Sequence, residues 1–336
     1  MVSRALAEYG STEEIIVHTG QHFDANMSGD FFRELDIPIP KYNLGIGGGT
    51  HGQNTGRMIE TLEKVLIEER PDWVLVYGDT DSTLAGGIAA AKLHLPIAHV
   101  ESGLRSFNRR MPEEINRIVV DHISELLLTP TDLATRNLAA EGISGLKVQQ
   151  VGDVMYDAAQ HFGKLAERQA DCLSRHGLTS KKYALATIHR EESTNDRALL
   201  QGLILALEEI AERMPVIWPV HPRLRDAVYS SKLSLIKPVG YLEMQGLIKN
   251  AQVVITDSGG LQKEAFFHRV PCVTLREETE WVELVNSGWN QLAGVGDRAR
   301  ILECFQRAIN GQVPFPNDRW YGNGDAANLI AARLTK

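Results

Sequence analysis

Cysteine is scarce in this chain of 336 residues: Cys172, Cys272 and Cys304 stand far apart, with no C-x-x-C pair. An odd, scattered set excludes a disulfide framework and a thiolate zinc site. No apolar run approaches the roughly 20 residues that a membrane-spanning helix needs. Met1-Val2-Ser3-Arg4 leads into an amphipathic pattern rather than a signal peptide. Basic charge is short as well, since 35 Lys and Arg against 43 Asp and Glu leave a net charge of −8. A chain that read a phosphate duplex would carry a basic surplus or stripe, so nucleic acid is excluded as a partner. No metal site is expected among the 11 histidines, and no phosphate loop of the G-x-x-x-x-G-K-[ST] kind occurs. The expectation is a reduced, cytoplasmic protein that works without metal or external cofactor.

What is present is alternation. Short β-branched runs at 14–19, 73–77, 97–100, 126–129 and 148–151, then at 183–188, 216–220, 235–239, 253–256 and 272–275, are separated by longer amphipathic stretches. That rhythm predicts parallel sheets with crossover helices. The fold class expected is α/β, two doubly wound, Rossmann-like domains. Residues 1–165 form an N-terminal domain, 166–318 a C-terminal domain, and 319–336 a helical tail packing back on the first. A single long polar helix is predicted over 154–176, ending at Gly177. The chain opens on a helix at 2–9, where a doubly wound unit ordinarily opens on a central strand. The first strand of the N-terminal domain is therefore expected to be missing.

Ligands of open α/β sheets bind beyond the carboxyl ends of the strands, so the residues that follow each run matter most. Gly78-Asp79-Thr80 and Glu101-Ser102-Gly103-Leu104-Arg105 follow two runs of the first half. His189-Arg190-Glu191, His221-Pro222-Arg223 and Asp257-Ser258-Gly259-Gly260 follow three of the second. An Asp or Ser after a strand is also the usual helix N-cap, and a lone histidine is more often structural than catalytic. The joint pattern, carboxylates in one domain and cations in the other, suits a ligand with a reactive carbon at one end and an anion at the other. Ser258-Gly259-Gly260 opening a helix makes a phosphate cradle, because glycines admit close approach and first-turn N–H groups face the anion. Arg190, Arg223 and Arg276 add charge-assisted bonds nearby. Glu264 is placed to accept ribose hydroxyls, though as a helical Glu it needs no function. Gly47-Gly48-Gly49-Thr50-His51-Gly52 satisfies G-x-G-x-x-G formally. No strand precedes it, so it reads as a loop into a helix over 53–69.

These segments resemble the non-hydrolysing UDP-N-acetylglucosamine 2-epimerase family, whose members share the GT-B fold. The likeness is most specific in Tyr77-Gly78-Asp79-Thr80, His99-Val100-Glu101-Ser102-Gly103-Leu104-Arg105, Pro112-Glu113-Glu114-Ile115-Asn116-Arg117, Thr187-Ile188-His189-Arg190 and Thr256-Asp257-Ser258-Gly259-Gly260-Leu261-Gln262-Lys263-Glu264. It implies inversion at C2 of a UDP-linked 2-acetamido sugar, by elimination and re-addition of UDP, supplying surface-polysaccharide precursors. It also implies catalytic roles for Asp79, Glu101, Glu113 and His189. Ser258, Gly259, Gly260 and Glu264 would hold UDP, with Arg105, Arg190, His221, Arg223 and Arg276 as further substrate contacts. Gln21, His22 and Arg57 match the region where family members bind a second substrate molecule. A homodimer is implied, with the helix around 83–93 as one candidate face or as plain core packing.

Two departures stand out. Family members begin with a strand and a Gly-x-Arg-Pro loop, and a chain without them is expected to be weakly active or inactive. Trp281 stands where UDP-N-acetylglucosamine enzymes carry Arg, which together with Ser106-Phe107-Asn108-Arg109-Arg110-Met111 is similar to the branch acting on UDP-2,3-diacetamido-2,3-dideoxyglucuronate. Arg109 or Arg110 would serve a carboxylated sugar. A GT-B glycosyltransferase, a hydrolysing epimerase and a non-catalytic nucleotide-sugar sensor remain the alternatives.

Overall fold

The computed structural model describes residues 1–21, 32–168, 172–311 and 319–335. The chain divides into two compact units, one of Met1–Asp157 with Arg319–Lys336 and the other of Ala158–Asp318. Both are α/β with parallel sheets.

In the first unit β3 (Val74–Tyr77), β4 (Ile97–Val100), β5 (Leu126–Thr129) and β6 (Val148–Gln150) lie side by side in that order, all parallel. Every residue of β4 and β5 is buried, as expected of strands covered on both faces and written as unbroken apolar runs. The register pairs Tyr77 with Val100, which brings the residues just past β3 beside those just past β4. A separate parallel pair is formed by β1 (Val17–His18) and β2 (Tyr42–Asn43). A cavity of about 940 Å³ is lined by Ile15 and Val17 on one side and by Leu75 and Tyr77 of β3 on the other.

The helix Asp81–Lys92 starts at a capping box between Thr80 and Thr83, and buries Ala85, Gly86, Gly87, Ala89 and Ala90. A Cβ at Gly86 would lie 3.1 Å from Val76. This face, one candidate for a dimer contact in the sequence, is core packing against the sheet. The C-terminal helix Ala326–Leu334 shares a core with the Val2–Tyr9 helix, through Val2, Leu6, Ala327, Ile330 and Ala331. Asp157 Oδ2 accepts the Ala327 N–H at 2.8 Å, and Asp153 N–H donates to Tyr321 O at 3.0 Å.

In the second unit six parallel strands run in the order β12 (Asn290–Leu292), β11 (Cys272–Thr274), β10 (Val253–Thr256), β7 (Ala184–Thr187), β8 (Val216–Pro219) and β9 (Ser234–Ile236). The central pair aligns Thr256 with Thr187, so Asp257 emerges next to His189. The helix Arg197–Ala211 covers one face with Leu200, Leu203, Ile204, Leu207 and Ile210, the three-and-four spacing of an amphipathic helix.

Two expectations change. The strand expected over 14–19 is confined to Val17–His18, and β2 and β12 arise from polar sequence that gives no strand signal. Of the long helix expected over 154–176, Val154–Arg168 and Cys172–Arg175 are helical, and residues 169–171 lie outside the described residues. The helix after the glycine loop begins at His51, two residues early, because Thr50 and Gln53 form a capping box there.

Candidate active site

In the first unit the site grows from the ends of β3 and β4. Gly78 has φ of 62° and is followed by Asp79, whose carboxylate pairs with the Arg117 guanidinium. Asn116 Nδ2 donates to the Asp79 carbonyl at 2.8 Å. Arg117 is buried and reaches Glu114 Oε2 through Nη2 at 2.8 Å and Nε at 3.1 Å. Glu114 also accepts the N–H groups of Ser106 and Phe107, both at 2.9 Å. Burial alone would raise its pKa, but these donors and Arg117 hold it below the ordinary glutamate value. The acid that knits the loop to the Pro112–Ile123 helix is therefore Glu114. Glu113, one residue earlier in the same first turn, is half-buried and outside that network.

Glu101 adopts φ of 71°, the left-handed region that a residue with a Cβ rarely enters. It is held there by its N–H on Leu128 O at 3.1 Å. Its carboxylate closes on Gly78, where a Cβ would meet Oε2 at 3.4 Å. Strain of this kind, of order 1–3 kcal/mol, persists where surrounding structure enforces it and gathers at functional sites. Beneath lies a buried relay: His99 places Nδ1 2.7 Å from Asp121 Oδ1 and Nε2 2.8 Å from Gly78 O.

Arg105, expected to meet substrate, is a structural pin instead. It is 3 % exposed. Its guanidinium grips both oxygens of Glu141 at 2.7 Å and donates to Asp121 Oδ2 and Leu104 O at the same distance. Burial would lower its pKa, yet Glu141 and Asp121 carry it upward. With four of its five N–H groups engaged inside the first unit, it has no face for a diphosphate.

In the second unit His189 Nδ1 lies 3.1 Å from Asp257 Oδ1. Asp257 also accepts the backbone N–H groups of His189 and Arg190, at 3.0 and 2.9 Å to Oδ2. Desolvation pushes the Asp257 pKa up, but His189 and these N–H donors bring it below the ordinary aspartate value. The imidazole is thereby oriented with Nε2 as the nitrogen left for proton exchange. Asp257 stands in the strand-end motifs read from the sequence, with a helix cap as its alternative and no role assigned to it. The usable signal is the parallel pairing of its strand with the one before His189.

Arg223 is exposed and donates to His189 O and, at 2.8 Å, to Thr194 Oγ1. His221 caps the short turn Pro222–Leu224, accepting the Arg223 N–H at 3.4 Å. Arg190 is half-buried beside them. Ser258 caps the helix Gly259–Phe267 through the Leu261 N–H, leaving Gly259 and Gly260 in its first turn. Glu264 is 4 % exposed and hydrogen-bonds the Tyr241 hydroxyl, whose pKa is raised first by burial and then by Glu264. Arg276 is buried 3.1 Å from Glu280, against Gly259.

Of the residues matching a second site, Gln21 and Arg57 each bond a neighbour within the first unit. Gln21 Oε1 accepts the N–H and hydroxyl of Ser82 at 2.9 and 2.7 Å. Arg57 donates to Asn54 at 2.8 Å, against Gly49. His22 lies outside the described residues. No helix among the described residues is long and apolar enough to cross a membrane.

Two doubly wound units, with acids past the strands of one and a His–Asp pair beside a glycine turn in the other, are the framework of GT-B-like nucleotide-sugar proteins. The family model for UDP-N-acetylglucosamine 2-epimerase matches residues 4–335, and the chain belongs to that family. The UDP-2,3-diacetamido-2,3-dideoxy-D-glucuronate 2-epimerase of Pseudomonas aeruginosa is 50% identical, over 100% of this chain and 95% of its own. A UDP-N-acetylglucosamine 2-epimerase homolog of Methanococcus maripaludis is 52% identical over 96% of this chain and 92% of its own. Among solved structures, the Methanocaldococcus jannaschii UDP-GlcNAc 2-epimerase in complex with UDP-GlcNAc and UDP superposes with a TM-score of 0.91. It is 41% identical, over 99% of this chain and 94% of that one.

Proposed function

We propose that this chain inverts C2 of a UDP-linked 2-acetamido sugar by a non-hydrolytic route. C2 of such a sugar bears no adjacent carbonyl, so its proton is not acidified for direct exchange. A base removes that proton as the C1–O bond breaks and UDP leaves with the electron pair, giving a 2-acetamidoglycal. An acid returns a proton to the opposite face of C2, and the UDP oxygen re-forms its bond at C1. Atoms and charge balance without a redox partner. The scheme needs two proton-transfer groups for two faces and a stabiliser for departing diphosphate.

Asp79, Glu101 and Glu113 supply the proton chemistry in this reading. Arg117 anchors Asp79, and the strained backbone aims Glu101 at the same glycine. His189, oriented by Asp257, protonates or stabilises the leaving diphosphate. Ser258, Gly259 and Gly260 hold the diphosphate and Glu264 the ribose. Arg190, His221, Arg223 and Arg276 add positive charge or donors. The observation that carries the reading is the His189–Asp257 pair opening beside the glycine turn, on a chain that belongs to this family.

Of the two substrates, the diacetamidoglucuronate is favoured by the 50% identity to the Pseudomonas aeruginosa enzyme and by Arg109 and Arg110. Both are exposed on the loop before Glu113, free to meet a sugar carboxylate. A cytoplasmic homodimer is part of the same proposal.

Incubation with each UDP sugar in heavy water tests it. Deuterium at C2 and the epimeric UDP sugar, faster with the diacetamidoglucuronate, are the expected products. Free sugar and UDP would reveal a hydrolase instead, and protium retained at C2 would end the reading.

A further inference from the structure

The start of the Gly259–Phe267 helix is gripped from the side by residues that the proposed chemistry leaves idle. Trp281 is 3 % exposed, and its indole Nε1–H donates to Gly259 O at 3.1 Å. The face of the same ring covers the ammonium of Lys263, a fully buried lysine, 4.1 Å from the ring centroid. One ring thus joins a buried cation, held by its π-face, to the carbonyl of the first glycine. Gln262 does the parallel job one residue earlier. Its Nε2 donates to Ser258 O at 3.1 Å, while its Oε1 accepts Thr279 Oγ1 at 2.8 Å and Asn290 Nδ2 at 3.2 Å. With both carbonyls tied down, the N–H groups of the first turn are fixed in direction.

A second observation points to an anion here. Arg276 is buried, and a Cβ at Gly259 would lie 3.7 Å from its Nη1 and 2.8 Å from Glu280 Oε1. Arg276 Nη1 and Glu280 Oε2 are 3.1 Å apart, yet neither atom has an aligned hydrogen-bond partner. The Arg276 Nη1 that ion-pairs with Glu280 thus keeps N–H donors to offer a further acceptor.

We propose that Trp281 is a positioning residue for the diphosphate cradle. By bridging the Lys263 ammonium and the Gly259 carbonyl, it holds residues 276–281 against the glycine turn and sets where Arg276 and the first-turn N–H groups meet the anion. The inference rests on the nucleotide reading above and deepens it: the residue that distinguishes this chain from the Arg-bearing branch tunes grip on phosphate, not on sugar.

The test compares UDP with uridine as competitive inhibitors of the epimerisation catalysed by the full chain. W281F keeps an aromatic face and removes the N–H donor. Benzothienylalanine at position 281 does so with the indole shape intact, which covers the case in which W281F folds poorly. For either variant the UDP inhibition constant should rise about fivefold to tenfold, the loss of one net hydrogen bond. The uridine constant should move less than about twofold, with KM raised and kcat nearly kept. A merely structural role would shift both inhibitors together and lower the melting temperature, and an unchanged UDP constant would likewise overturn the inference while leaving the function intact. Absence of UDP inhibition in the unsubstituted chain would sink the nucleotide reading itself, and this inference with it.

Discussion

Asp257 carries no solvent exposure and three bonds toward His189 and Arg190. Replacing it with Asn keeps the shape, removes the charge, and lets the amide NH2 donate to Nδ1, so that the imidazole carries its proton on Nε2, the wrong tautomer. D257N should lower kcat at least about 100-fold while UDP affinity changes little. Stopped-time epimerisation assays beside UDP titration calorimetry would check this, and full kcat would remove His189 from proton transfer. The strand-end places of Asp79, Glu101 and His189 were legible in the sequence because each follows an apolar run directly or after one glycine, and strand ends are where such sheets bind ligands. The roles of Arg117, Glu114 and Asp257 were not. They come from pairing across 38, 8 and 68 positions of sequence, which no local pattern encodes. Arg105 was misread for a similar reason: a strand-end arginine looks alike whether it faces an anion or is saturated by Glu141 and Asp121.

At the level of elements, strands such as Leu126–Thr129 were readable because both faces are covered and the sequence is apolar throughout. Tyr42–Asn43 and Asn290–Leu292 were not, since their pairing is imposed by neighbours rather than by composition. The return of the C-terminal segment depends on one glycine. Gly152 has φ of 90°, and a Cβ there would lie 2.9 Å from Tyr321 O and 3.1 Å from Gly322 Cα. Backbone cannot swing aside as a side chain can. G152A should therefore cost about 1–3 kcal/mol and loosen the Ala326–Leu334 helix first. Amide exchange in that helix, accelerated ahead of the second unit's sheet, is the expected signature.

On the scale of the whole molecule, pH acts through a histidine buried in the second unit. Burial lowers the His268 pKa to about 4, with Lys249 and Lys181 pushing the same way and Glu167 opposing. The ring hydrogen-bonds Gln245 Oε1 at 2.6 Å. An unfolded histidine titrates near 6.5. Between those values the unfolded chain binds a proton that the folded one refuses, so stability is lost as pH is lowered from about 6.5 toward 4, by up to about 3 kcal/mol across the window. H268Q, which keeps a donor toward Gln245, should flatten that slope in urea melts followed between pH 7 and 4.5. An unchanged slope would show that other groups set it.

The first unit bears a different mark. Its β3 is the outer strand of a four-stranded sheet among the described residues, beside the open cavity of about 940 Å³, whereas the second unit has a six-stranded sheet. An outer strand is paired along one edge alone, so it opens at lower cost than the interior strands of a larger sheet. Heat should dismantle the first unit before the second. On a slow temperature ramp, turnover should vanish several degrees before UDP ceases to bind, so a warmed sample becomes a nucleotide sponge that no longer turns its substrate over.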